Sequence, residues 1–193
     1  MIPGALREEV ARDGEPIVFV ARDRLLEIMT WLKETPGQQF DYLVDVTAVE
    51  FRDRERPLQL VYFLRSLTRK ADLRVKVELA ASDQLAVDSV WSLWHGADWL
   101  EREVYDMFGI TFRGHPDLRR ILMWETYAEG FPLRKDFPLR GRFSRAEQVR
   151  QALNANPEAH YSLDELSIAD AWGDLPDDMR ERLKRGERGT LPE

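Results

Sequence analysis

Three carboxylates crowd one short stretch of the chain, Glu101, Glu103 and Asp106 in the run EREVYDMFG. If that run is helical, Glu103 and Asp106 lie three residues apart on one face. Such a pair can hold a metal ion or share a proton in acid–base chemistry. The same spacing has a structural use, which is the favoured reading. Arg102 stands four residues after Asp98 and four before Asp106, so one guanidinium could bridge two acids in an ion-pair ladder. His115 sits in Gly114-His115-Pro116-Asp117, a turn sequence. It could carry protons near neutral pH, but a hydrogen-bonded structural role is the simpler expectation. Arg119-Arg120 suits an anionic group, and with no glycine-rich amides beside it a protein carboxylate is the better fit. Trp91, Trp94 and Trp99 could stack on bases. Their neighbours Asp88, Asp98, Glu101 and Glu103 would repel phosphate, so packing is expected instead.

Other chemistries lack their parts. The 193 residues include no cysteine. That leaves no disulfide, thiolate metal site or thiol nucleophile. His95, His115 and His160 are far apart, without the spacing of a histidine metal site. Neither GxGxxG nor GxxxxGK[ST] occurs. Gly109 and Gly114 have phosphate-loop spacing, but His115-Pro116 follows where Lys-Ser would be needed. No serine lies in a GxSxG elbow. The net charge of −7 disfavours non-specific nucleic-acid binding. No apolar run approaches the ~20 residues that span a bilayer, and the first residues show no secretory pattern.

The elements that must position these residues can be read from periodicity. A helix is predicted over Pro3–Asp13 and a strand over Ile17–Val20. Asp23 is expected to cap a helix carrying Leu25, Leu26, Ile28, Met29 and Leu32 on one face, ended by Pro36-Gly37. Alternation predicts strands at Phe40–Phe51, Leu58–Arg65 and Asp72–Leu79. Their short linkers favour an antiparallel meander with Leu58–Arg65 central. Leu85–Leu93 reads as a helix. A second helix starts near Ala97, with Leu100, Val104, Met107 and Phe108 as its apolar stripe and Gly109 at its end. Ile110–Phe112 reads as extended. Beyond Arg113 prolines interrupt the chain, leaving candidate helices at Arg145–Asn154 and Pro176–Arg185. The expected fold class is α+β, a mostly antiparallel sheet with flanking helices plus an irregular C-terminal arm. A compact domain over 1–112 is expected, followed by a partner-wrapping arm over 113–193.

That arm is where docking is expected. Arg113–Arg145 holds eight basic and four acidic residues, about +4 within a chain of −7. Phe-Pro-Leu-Arg occurs twice, six residues apart, and its prolines are expected to enforce an extended path. Phe131, Leu133, Phe137 and Leu139 would be buried on a partner. Arg113, Arg119, Arg120, Arg134, Lys135 and Arg140 would meet its carboxylates.

Taken together, Glu101-Arg102-Glu103, Asp106, Met107-Phe108, His115, Arg119 and Ile121-Leu122 resemble the signature of the NuoC family, the C subunits of bacterial NADH:quinone oxidoreductase, respiratory complex I. Pro-Leu-Arg-Lys-Asp-Phe-Pro at 132–138 resembles that family's second landmark. The resemblance is strongest over Ala97–Gly141. It implies a cofactor-free member of the peripheral arm, on the cytoplasmic face of the inner membrane. It also implies an α+β domain and a tail that wraps the D and B subunits of complex I, with the I subunit as a further neighbour and the D subunit as a separate polypeptide. FMN, iron–sulfur clusters and quinone would belong to other subunits, and no catalytic, cofactor or metal residue is expected in this chain. Three alternatives stay open: a homologous subunit of a membrane-bound hydrogenase or ferredoxin-linked dehydrogenase, a free-standing hydrolase using Glu103 and Asp106, and a soluble adaptor.

Overall fold

The computed structural model describes residues 3–52, 55–80, 85–139 and 141–155. The chain divides into two compact units, Met1–Arg142 and Phe143–Glu193. The first unit is built on a five-stranded sheet in the order β1-β2-β5-β4-β3. Its strands are β1 (Ala5–Val10), β2 (Pro16–Val20), β3 (Tyr42–Glu50), β4 (Leu58–Ser66) and β5 (Ala71–Leu79). β3, β4 and β5 form the expected antiparallel meander. The β2–β5 pair is parallel, which makes the sheet mixed and the class α+β.

Register explains the layering. Leu60 faces Val77, Tyr62 faces Val75 and Leu64 faces Leu73 across β4 and β5. Val18 and Val20 fall opposite Val75 and Val77, while Val46 and Ala48 oppose Tyr62 and Leu60. With a side-chain period of two, these residues share one face. They join one buried cluster with Leu25, Ile28, Met29 and Leu32 of helix α1 (Leu25–Glu34) and with Val104, Met107 and Phe108 of helix α2 (Ala97–Phe108). The other face is dressed by long charged side chains. Arg7 lies 3.6 Å over the Phe19 ring and Arg74 lies 4.9 Å over Phe63. Arg65 pairs with Asp72 at 2.6 Å. Their stems cover apolar surface while the heads stay in water.

Four expectations change. The helix predicted over Pro3–Asp13 is strand β1, paired antiparallel with β2 at the sheet edge; that pairing fixes a conformation which its own exposed, charged sequence does not. The helix predicted over Leu85–Leu93 is strand β6 (Ala86–Asp88) followed by turns. It pairs in parallel with β7 (Thr111–Arg113), so a contact from beyond α2 decides its conformation. Asp23 forms no side-chain cap; a 3-10 turn at Arg22–Arg24 leads into α1. The boundary expected after Phe112 is displaced to Arg142, because the irregular chain beyond β7 returns to pack on α2.

The second unit contains α3 (Arg145–Ala155). Ser144 Oγ accepts from the Glu147 amide at 3.3 Å, and Glu147 Oε2 accepts from the Ser144 amide at 3.0 Å. This reciprocal box satisfies two donors at the helix start. The helix predicted at Pro176–Arg185, along with His160 and Arg140, lies outside the described residues.

Candidate functional site

α2 carries the charged signature, and its ends explain its position. The apolar stripe Val104, Met107 and Phe108 is buried in the core. Gly109 stops the helix in the left-handed region at φ 76°. A side chain at that position is disfavoured for a second reason. A Cβ there would sit 2.5 Å from the Phe131 ring.

Glu101 is fully buried. Its Oε2 accepts from Ser89 Oγ at 2.6 Å and its Oε1 from the Val90 amide at 2.8 Å. No cation pairs with it among the described residues. Burial therefore pushes its pKa up to about 7, against the lowering effect of the Ser89 and Val90 bonds and with Asp98 adding like-charge repulsion.

Asp106 is also fully buried but solved differently. Its Oδ2 accepts three consecutive amides, Ile121 at 3.1 Å and Leu122 and Met123 at 2.8 Å each. Its Oδ1 accepts from Arg120 Nη1 at 2.5 Å. Burial alone would raise its pKa, yet the Met123 amide, Arg120 and the other two amides outweigh that and hold it below the ordinary carboxylate value. Arg120 donates onward to the Gly130 carbonyl at 3.1 Å, and its guanidinium lies over the rings of Tyr127 and Phe131. Arg102 donates to the carbonyls of Arg119 and Arg120 at 3.2 and 3.1 Å. Three side chains of α2's signature, Arg102, Asp106 and Glu101, thus fasten two irregular segments to one helix.

This corrects the ladder. Arg102 makes no ion pair with Asp98 or Asp106 among the described residues; it binds backbone carbonyls instead. Glu103 is exposed while Asp106 is buried, so the two do not form an acid pair. Among the described residues no group of three or more histidine, aspartate or glutamate side chains could hold a metal ion. The His115 ring is fully buried. Nδ1 lies 3.1 Å from the donating Asp117 amide, which leaves Nε2 to donate to the Asp98 carbonyl at 3.1 Å. That arrangement is a structural latch between the 114–117 turn and the start of α2. Trp94 is buried and its indole N–H donates to the Asp41 carbonyl at 3.1 Å; Trp91 is half-buried and Trp99 exposed.

The docking residues divide. Arg113 pairs with Asp88 at 2.8 Å, Arg119 with Asp117 at 2.8 Å and Arg134 with Glu50 at 3.4 Å. With Arg120 on Asp106, these four arginines meet carboxylates of the chain itself. Phe131 and Phe137 are half-buried, whereas Ile121, Leu122, Leu133 and Leu139 are exposed. The Phe131–Gly141 segment is not extended. It runs through two successive tight turns, closed by Arg134 N–H to the Phe131 carbonyl and Phe137 N–H to the Arg134 carbonyl, and Gly141 N–H donates to the Pro138 carbonyl. Proline at the second position of the first turn fits its fixed φ. Sequence reasoning missed Ser89, Glu50 and Glu129, whose roles rest on contacts distant in the chain and leave no local signal.

Residues 18–143 match the family described as respiratory-chain NADH dehydrogenase, 30 Kd subunit. The chain is 42% identical over 140 residues to the NADH-quinone oxidoreductase C subunit of Azorhizobium caulinodans, covering 72% of this chain and 65% of that one. It is 44% identical over 128 residues to the C subunit of the same enzyme from Citrifermentans bemidjiense, covering 66% of this chain and 77% of that one. A solved structure of a trypsin-resistant fragment (1–134) of Nqo5 superposes with a TM-score of 0.53 at 32% identity, over 58% of this chain and 89% of the fragment. A chain of an archaeal membrane-bound sulfane sulfur reductase shares the fold, with a TM-score of 0.61 at 24% identity over 77% of this chain and 83% of that one. The match across most of the first unit, signature included, places this chain in the family of the 30 Kd subunit of respiratory-chain NADH dehydrogenase, the NuoC family.

Proposed function

We propose that this chain is a cofactor-free scaffold subunit in the peripheral arm of a proton-pumping NADH:quinone oxidoreductase. In this reading it docks on the D and B subunits, with the I subunit nearby, at the cytoplasmic face of the membrane. It keeps the quinone-side electron-transfer module in register, while FMN, iron–sulfur clusters and quinone sit in other subunits. The 113–193 region, whose 113–142 part packs on α2 within the first unit, serves as the contact surface. One observation carries the reading. The signature acids Glu101 and Asp106 are fully buried and bonded to the chain's own donors, so they hold a shape and meet no substrate. The lack of cysteine agrees, since no thiolate here can ligate a cluster. Among the described residues no helix is long and apolar enough to cross a membrane.

Affinity-tagged chain recovered from membranes of its own cells tests this. The expected companions are iron–sulfur and quinone-site subunits with NADH:quinone reductase activity, lost on deleting the gene. Recovery with hydrogenase or ferredoxin-oxidising subunits would replace the donor. Recovery of the chain by itself, with turnover of its own, would overturn the scaffold reading.

A further inference from the structure

The segment from Glu129 to Arg142 is a closed loop. The Arg142 amide donates to Glu129 Oε2 at 3.0 Å and joins its two ends. Compact loops with close ends, packed by their own side chains, are frequently functional. Its middle is pinned to the body. The Leu133 amide donates to the Met107 carbonyl at 3.1 Å, and the Lys135 amide donates to Glu50 Oε2 at 2.6 Å. Arg134 Nη1 reaches the Phe108 carbonyl at 3.3 Å.

Side chains on this pinned backbone point two ways. Phe131 packs edge-on to Tyr105 with ring centroids 6.4 Å apart, and Phe137 lies against Gly130. Leu133 is 52% exposed and Leu139 fully exposed. The outward leucines contribute little to a loop already held by backbone bonds and aromatic packing. On an ordered backbone, however, they meet the main requirement of an interface anchor. The ordering cost of binding is already met.

Charge says what surrounds the anchors. Arg113, Arg119, Arg120 and Arg134 all have carboxylate partners within the chain. Lys135 and Arg142 have none among the described residues. Arg142 lies 5.9 Å over the Phe137 ring, a contact that leaves its charge without a counter-ion, and the exposed Asp136 sits 3.9 Å from Arg134. Two leucines beside two cations with no carboxylate partner call for an apolar pocket with a carboxylate rim. Isologous pairing of this patch with a second copy would bring like charges together.

We propose that the Glu129–Arg142 loop is a docking knob, with Leu133 and Leu139 as anchors. It would enter an apolar, acid-rimmed pocket on a neighbouring subunit of the same complex. This rests on the scaffold reading above, and it moves the docking energy from the arginines to the two leucines.

The test uses the full-length tagged chain in cells lacking the native gene. In Leu133→Ser/Leu139→Ser, surface substitutions should leave the melting temperature of the isolated chain within about 2 °C. Recovery of neighbouring subunits should fall at least tenfold. Lys135→Glu/Arg142→Glu should weaken recovery less. A photo-crosslinker at position 139 should join a peptide of a neighbouring subunit rich in apolar and acidic residues. If the double variant is itself destabilised, Leu139→Ala alone, at a fully exposed site, supplies the reading. Unchanged recovery in a stable leucine variant overturns the knob, as does a crosslink to a second copy or loss confined to the charge variant. Failure of the unaltered chain to bring down any such neighbour overturns the scaffold reading instead.

Discussion

Glu101 and Asp106 are five residues apart on one helix, both fully buried, and their pKa values move in opposite directions. The difference is the number and charge of donors. Two neutral donors fail to offset burial at Glu101, while three amides and a guanidinium succeed at Asp106. Opposite pH dependences follow. Folding raises the Glu101 pKa from 4.5 to about 7. Its stabilising contribution is intact below 4.5 and lost as pH rises through 7, a change of about 3 kcal/mol. Denaturant melts at pH 5 and 8 should show that decline in the unaltered chain and a nearly flat profile in Glu101→Gln; parallel profiles would reject the assignment. Asp106 has a depressed pKa, so its contribution is present above 3.8 and lost as pH falls through the lower folded value. Asp106→Asn keeps one oxygen for the three amides but turns an amide donor towards Arg120 and removes its counter-charge, and should cost about 3–5 kcal/mol at pH 7. The exposed control Glu103→Gln should stay within about 0.5 kcal/mol. Equal losses in the two variants would mean the donor cradle does not hold the fold.

At the scale of elements, what could be read from sequence depended on where each element finds its partners. β3, β4 and β5 alternate strongly because one face is buried, and α2 shows its stripe and its terminal glycine; all four were legible. β1, with Arg7, Glu8 and Glu9 at its centre, buries no side chain and is a strand only because β2 lies beside it. β6 is three residues long and owes its conformation to β7, beyond α2. The Arg102 ladder failed in the same way. Nearby acids in sequence suggested ion pairs, but the chain brings the carbonyls of Arg119 and Arg120 closer. The junction of α2 with the turn segment gives a sharp prediction. In Gly109→Ala the left-handed backbone costs about 1–2 kcal/mol. The new Cβ also meets the Phe131 ring at 2.5 Å, for a total of roughly 2–4 kcal/mol. Phe131→Leu in the same chain should recover part of the loss, measured as a coupling in a double-mutant cycle. Strict additivity would show that the ring yields freely and that backbone strain is the whole effect.

For the whole molecule, the question is where the folded body ends. A boundary after Phe112 would follow the last regular element, since no helix or strand occurs between residues 114 and 139. The hydrogen bonds argue otherwise. Asp106 takes its amides from residues 121–123, Arg102 its acceptors from 119 and 120, and Glu50 an amide from 135. An irregular segment that satisfies buried charges of the core belongs to the core, because an orphaned buried carboxylate or guanidinium costs several kcal/mol. The chain cut after Arg142 should therefore unfold cooperatively in urea, with a near-native aromatic circular dichroism spectrum. The chain cut after Phe112 loses every donor to Asp106 and both acceptors of Arg102. It should show a broad transition or none, with exposed apolar surface that binds a hydrophobic dye. If 1–112 unfolds as sharply as 1–142, the segment after β7 is an appendage and the signature's buried charges find other partners. The cut after Arg142 keeps the Glu129 clasp on the loop, so 1–142 is also the shortest chain in which Leu133 and Leu139 remain displayed for a partner.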